Sequence, residues 1–73
     1  MRTRIGPYKF RKVGFDGFSN GYYWGCYNQG GVEVGEFYYS LKQADWVWIQ
    51  SGSFPSMPRD LVKAITFFME QLK

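Results

Sequence analysis

Sixteen of the 73 residues are Phe, Tyr or Trp, against only 11 that are Leu, Ile or Val. Aromatic rings bury more area per residue than aliphatic side chains and prefer offset or edge-on packing. They are also enriched in strands. A chain of this kind is expected to make its core by stacking rings across a sheet. Length tightens the constraint, because 73 residues make a single domain, residues 1–73. So small a domain relies on an efficient core, a staple or a partner. Cys26 is the only cysteine, which rules out an internal disulfide. A ring-rich core and a homodimer are therefore the two expected answers to small size.

The same composition excludes much chemistry. There is no histidine, so the commonest general base and metal ligand are missing. One cysteine cannot form a thiolate zinc cluster. Without a histidine to activate it, Cys26 reads as a small apolar packing residue. Glu33 and Glu36 are three residues apart in an extended segment. That spacing puts them on opposite faces, a poor acid–base pair. The chain is expected not to be an enzyme and to hold no cofactor and no metal. No apolar run approaches the roughly 20 residues of a membrane span. The basic start Met1-Arg2-Thr3-Arg4 has no apolar stretch behind it. With a lone thiol and no export signal, a cytoplasmic setting without a membrane is expected.

Charge is unevenly placed. Residues 1–12 carry Arg2, Arg4, Lys9, Arg11 and Lys12 without an acid, whereas residues 13–57 are net −3 and residues 58–73 net +1. A basic segment on a near-neutral body points to a polyanionic partner. Alternatively, it protects a strand edge from aggregation.

Gly and Asn/Asp clusters cut the first 53 residues into four extended pieces: 8–15, 22–29, 32–40 and 45–50. Gly30-Gly31 suits a tight hairpin, and 41–44 reads as a four-residue turn. A capping-box pattern at Ser40–Gln43 offers a helix over 41–50 instead. The β-branched and aromatic run Trp46-Val47-Trp48-Ile49 favours the strand. After Ser51–Pro55, Leu61, Ala64, Ile65, Phe68 and Leu72 recur at helical spacing. This predicts a helix from about Met57 to Leu72, capped by Ser56. The expected fold is α+β: a four-stranded antiparallel β-meander followed by one C-terminal amphipathic helix (ββββα).

Hairpin register then assigns faces. A two-residue turn at 30–31 and a four-residue turn at 41–44 pair Trp24 with Phe37 and Phe37 with Trp48. A six-residue loop at 16–21 pairs Val13 with Trp24 and Arg11 with Cys26. One face then carries Tyr8, Phe10, Tyr23, Tyr27, Val34, Tyr38, Val47 and Ile49, and is expected to lie under the helix. The other carries Lys9, Arg11, Trp24, Phe37, Tyr39, Trp46 and Trp48. Glu36 falls on the helix side in this scheme, where a bare carboxylate is costly unless a bulge near Gly35 shifts it.

A second face of rings beside basic side chains supports three readings. It can stack the bases of single-stranded nucleic acid while Lys9 and Arg11 neutralise phosphates. It can dock a protein partner or a second copy of the chain. It can also be a second small core. The first is the preferred expectation, with Lys9, Arg11, Trp24, Phe37, Tyr39, Trp46 and Trp48 as the site and all three tryptophans reporting on binding. In element order, with basic and aromatic strands, the chain resembles the whirly-type single-stranded-DNA-binding proteins. Tyr39–Trp46 is similar to their Ser-Leu-to-Trp segment. That resemblance implies the same nucleic-acid partner, but it would open a helix where the residue pattern favours a strand.

Overall fold

The structure is a computed structural model that describes all residues except Phe18 and Ser19. It is an α+β fold, a five-stranded antiparallel sheet in chain order followed by one C-terminal helix. The elements are β1 (Arg4–Ile5), β2 (Tyr8–Gly14), β3 (Tyr22–Tyr27), β4 (Glu33–Ser40), β5 (Asp45–Gln50) and α1 (Arg59–Leu72). The four expected strands and the helix are present, and residues 45–50 are strand rather than helix. The fifth strand is the short β1. Gly6, at φ 58°, turns the chain before Pro7, so that Ile5 faces Tyr8 and Arg4 faces Lys9. Glycine reaches that conformation without steric cost.

The β4–β5 hairpin has the expected register, with Phe37 opposite Trp48 and Tyr39 opposite Trp46. The Ser40 hydroxyl accepts the Gln43 amide inside the turn. At the β3–β4 hairpin Asn28 organises the turn, its Oδ1 accepting the amides of Gly30 and Val32. Gly31 takes φ 79° in this turn. The register slips between Cys26 and Tyr27, so Tyr27 faces Glu33 and Cys26 faces Gly35. Val34 is the extra residue of a bulge, and beyond it Trp24 meets Phe37 as expected.

The β2–β3 hairpin differs from the expected pairing by one residue. Phe15 donates its amide to Gly21 O at 2.9 Å, so Gly14 rather than Phe15 faces Tyr22. Gly21 has φ 82° and closes the ladder where an ordinary residue would leave it. Of the expected 16–21 loop, Phe18 and Ser19 lie outside the described residues. The slip places Lys12 opposite Trp24 and Phe10 opposite Cys26. A one-residue shift moves a strand's side chains to the other face. Phe10 therefore joins Trp24, Phe37 and Trp48 instead of opposing them, and this is the face that the helix covers.

Helix α1 starts two residues later than expected and without Ser56 as its cap. Pro58, at φ −60° and ψ 156°, precedes the first turn and makes no side-chain cap. A residue before proline is pushed out of the helical region, which excludes Met57 from the helix. Asp60 sits in the first turn, where the helix dipole favours an acid. Leu61, Ala64, Ile65 and Phe68 are buried against Tyr8, Phe10, Cys26, Val34 and Phe37. The Phe68 ring lies parallel to that of Phe10, 4.1 Å between centroids and 3° between planes. Trp24 meets Phe68 edge-on at 5.1 Å, and Trp48 meets Phe37 edge-on at 5.0 Å. Among the described residues no helix is long and apolar enough to cross a membrane.

Gly35 lies beneath the Trp48 indole. A Cβ there would overlap that ring and come within 2.7 Å of the Ile49 carbonyl oxygen. Gly35→Ala should therefore cost about 1–3 kcal/mol of stability, the usual range for overpacking. Urea unfolding checks this. An unchanged midpoint would show that Trp48 does not rest on Gly35.

Candidate nucleic-acid interface

The seven expected site residues do not share one surface. Trp24, Phe37, Tyr39, Trp46 and Trp48 lie on the face that carries the helix, whereas Lys9 and Arg11 project from the opposite one. Phe37 is fully buried, and the three tryptophans are half-buried against the core. Trp48 donates its indole N–H to Gln50 Oε1 at 3.0 Å. Gln50 in turn donates to the carbonyl oxygens of Phe54 and Ser56, tying the 51–56 loop to the sheet. Among the described residues the buried Trp24 Nε1 has no hydrogen-bond partner, as fits a ring held for packing. Tyr39 and Tyr22 flank Trp46 at 5.6 and 5.8 Å. These five side chains build the fold, and the tryptophans report on folding before anything else.

The cations of residues 1–12 are divided as well. Arg2 lies over the Phe67 ring, and its main-chain N and O both pair with the Gln71 side chain, docking the N-terminal arm on α1. Lys12 sits 4.1 Å above the Tyr22 ring on the helix side. Arg4, Lys9 and Arg11 remain together on the helix-free face. Among the described residues no carboxylate forms an ion pair with them.

That face can be followed in rows across the strands. Lys9 is followed by Tyr27 and Glu33, and Arg11 by Gly25, Glu36 and Ile49. Val13 pairs with Tyr23, and Tyr38 with Val47. The Tyr27 ring folds back across Gly25, where a Cβ would come 2.8 Å from its hydroxyl. The Arg11 guanidinium lies 5.8 Å from the same ring, within cation–π range. Exposed Phe15 meets Tyr23 edge-on at 6.5 Å. The sequence pattern assigns Tyr23 and Tyr27 to the covered face because it puts the helix on the wrong side. The signal for the correct choice is Glu36, whose carboxylate argues against the covered face.

Glu33 and Glu36 lie on the same face, contrary to the plain alternation of a strand, because the Val34 bulge adds a residue between them. Burial, then the Glu33 charge, raises the Glu36 carboxyl above its ordinary range. Burial raises Tyr23, and both glutamates add to the effect. Tyr27 is raised by burial and by Glu33, with Arg11 pulling the other way. The face is thus polarised, with cations along β1 and β2 and carboxylates along β4. Three of the cations, Arg4, Lys9 and Arg11, line a concavity of about 290 Å³ with Tyr27 and the 28–31 turn.

No group of three or more His, Cys, Asp or Glu able to hold a metal occurs among the described residues. Comparison with protein-family models, with curated proteins and with solved structures finds no match to the chain.

The two other perturbed groups belong to the core. Cys26 is fully buried, and burial, with Glu33 behind it, pushes its thiol up to about 12. Buried Tyr8 donates its hydroxyl to Asp60 Oδ1 at 3.0 Å, and burial, then that bond, raises it to about 12. Both hold their protons more tightly folded than unfolded. Their contribution to stability is therefore intact below about pH 8.5 and is lost as pH climbs toward 12. The urea midpoint should stay level from neutrality to about pH 8.5 and then fall. Cys26 should resist a thiol reagent until urea unfolds the chain. Rapid labelling of the folded protein would contradict the buried placement.

Proposed function

We propose that this chain is a small, non-enzymatic binding module that holds single-stranded nucleic acid along the β2–β3 half of its helix-free sheet face. The observation that carries the reading is the convergence of Arg4, Lys9 and Arg11 beside Tyr27 around one concavity. Rings supply sequence-tolerant stacking and cations neutralise phosphates. Tyr27 and Tyr23 are four residues apart on β3, about 14 Å at strand rise. Phe15 extends the row of rings past Tyr23. Lys9 and Arg11 run beside these rings on β2. The carboxylates of β4 border the path and keep a polyanion on the basic side.

A second reading is favoured by the other half of the face. Tyr38, Val47 and exposed Ile49 lie there beside Glu36, on the face away from the helix. Tyrosines mixed with aliphatics and both charge signs suit a protein partner, including a second copy of the chain.

The two readings separate experimentally. A labelled single-stranded oligonucleotide should gain anisotropy on titration at low salt, while the tryptophan emission stays nearly constant. Tyr27→Ala should weaken binding by about 1–3 kcal/mol. Lys9→Ala should reduce the log–log salt slope by about 0.7. No binding at low salt would sink the nucleic-acid reading. Sedimentation at twice the 8.6 kDa chain mass, abolished by Ile49→Lys, would then support the second.

A further inference from the structure

Arg4 and Lys9 are directly opposite each other in the β1–β2 ladder, and Lys9 and Arg11 are two residues apart on one side of β2. Like charges directly opposed across a ladder destabilise it, and no carboxylate among the described residues pairs with these three. Their concavity, about 290 Å³, is large enough for a compact ligand and small for a polymer. One wall is the 28–31 turn. Asn28 Oδ1 already accepts the Gly30 and Val32 amides, so the turn is held in place. Gly31, with no side chain, leaves open space where a Cβ would stand. Gln29 adds an amide to the lining. Past Tyr27 the row meets Glu33, which turns a continuing polyanion away.

We propose that this corner is an end site, taking the terminal phosphate monoester of a nucleic-acid strand whose following nucleotides lie along β2 and β3. The inference rests on the nucleic-acid reading of the face and adds to it where the strand begins. A monoester carries between one and two negative charges at neutral pH, whereas an internal diester carries one. Three unpaired cations in a single concavity favour the more highly charged group. The guanidinium groups of Arg4 and Arg11 provide planar, paired donors for its oxygens, and Lys9 adds a point charge. Anion binding also removes the repulsion between Arg4 and Lys9, giving those opposed cations a use.

The test compares one short oligothymidylate bearing a 5′-phosphate, a 3′-phosphate or only hydroxyl ends, with adenosine monophosphate as the free-nucleotide probe. Backbone amide shifts of Arg11, Asn28 and Gly31 are followed in the 73-residue chain. One end-phosphorylated oligomer should bind on the order of tenfold more tightly than the hydroxyl-ended one, with the largest shifts at these residues. Arg4→Gln, at an exposed position, should remove that advantage, so that this variant binds the phosphorylated and hydroxyl-ended oligomers alike. Equal affinity for all three oligomers would overturn the end site while leaving the strand-binding reading in place. Adenosine monophosphate binding as tightly as the phosphorylated oligomer would support the phosphate site and overturn its link to a strand. No shift with any probe would overturn both.

Discussion

The parallel contact between Phe10 and Phe68, 4.1 Å between ring centroids, decides which side of the sheet is dry. Phe10 comes from the second strand and Phe68 from the third turn of the helix, so one stacked pair joins the two layers. Around it, Phe37 lies 5.9 Å from Phe68 and Trp24 meets Phe68 edge-on. Val34 and Cys26 fill the spaces between. Only glycine at position 35 leaves room for the Trp48 indole. Once this ring cluster is under the helix, the facing of β2 and β3 follows by strand alternation. Lys9, Arg11, Tyr23 and Tyr27 must face the other way.

Much of this was legible in the sequence. The helix and the four main strands follow from periodicity and turn residues. The Ser40–Asp45 turn gives the β4–β5 pairing without error, because its length is bounded by strong strand residues on both sides. The β2–β3 connection is ambiguous by one residue, since Gly21 can count as loop or as strand. Its positive φ settles the matter in the structure, and no side-chain pattern announces that choice. The slip carried Phe10 to the wrong set and gave the tryptophans a solvent face. Glu36 held the corrective signal. A carboxylate on an inner strand had to face water, and the Val34 bulge now shows Glu33 joining it on that side. The short β1 strand was not read from the sequence, because two residues are too few for a periodic pattern.

The candidate site was legible in its chemistry and not in its members. Basic side chains beside rings on a sheet face were expected, and Lys9 and Arg11 occupy such a face. The rings beside them are tyrosines instead of tryptophans. Small size explains the division, because a chain with so few aliphatics must spend its largest rings on the core. Tyrosines, with a hydroxyl to hydrate, tolerate the wet side. The helix-free face is therefore what the core leaves over, and its polarity comes from β2 and β4 contributing opposite charges on either side of β3.

Which face of the sheet lies under the helix decides which side chains meet solvent, and a nuclear Overhauser spectrum tests it most directly. Protons of the Phe68 ring should show strong cross-peaks to the Phe10 ring and the Trp24 indole and none to Tyr23, Tyr27 or Val47. Cross-peaks from Phe68 to Tyr23 or Val47 would place the helix on the other side. The cationic corner, which shares its face with Tyr23 and Tyr27, would then lie under the helix, and the division between a ring-built core and a tyrosine-and-cation surface would be wrong.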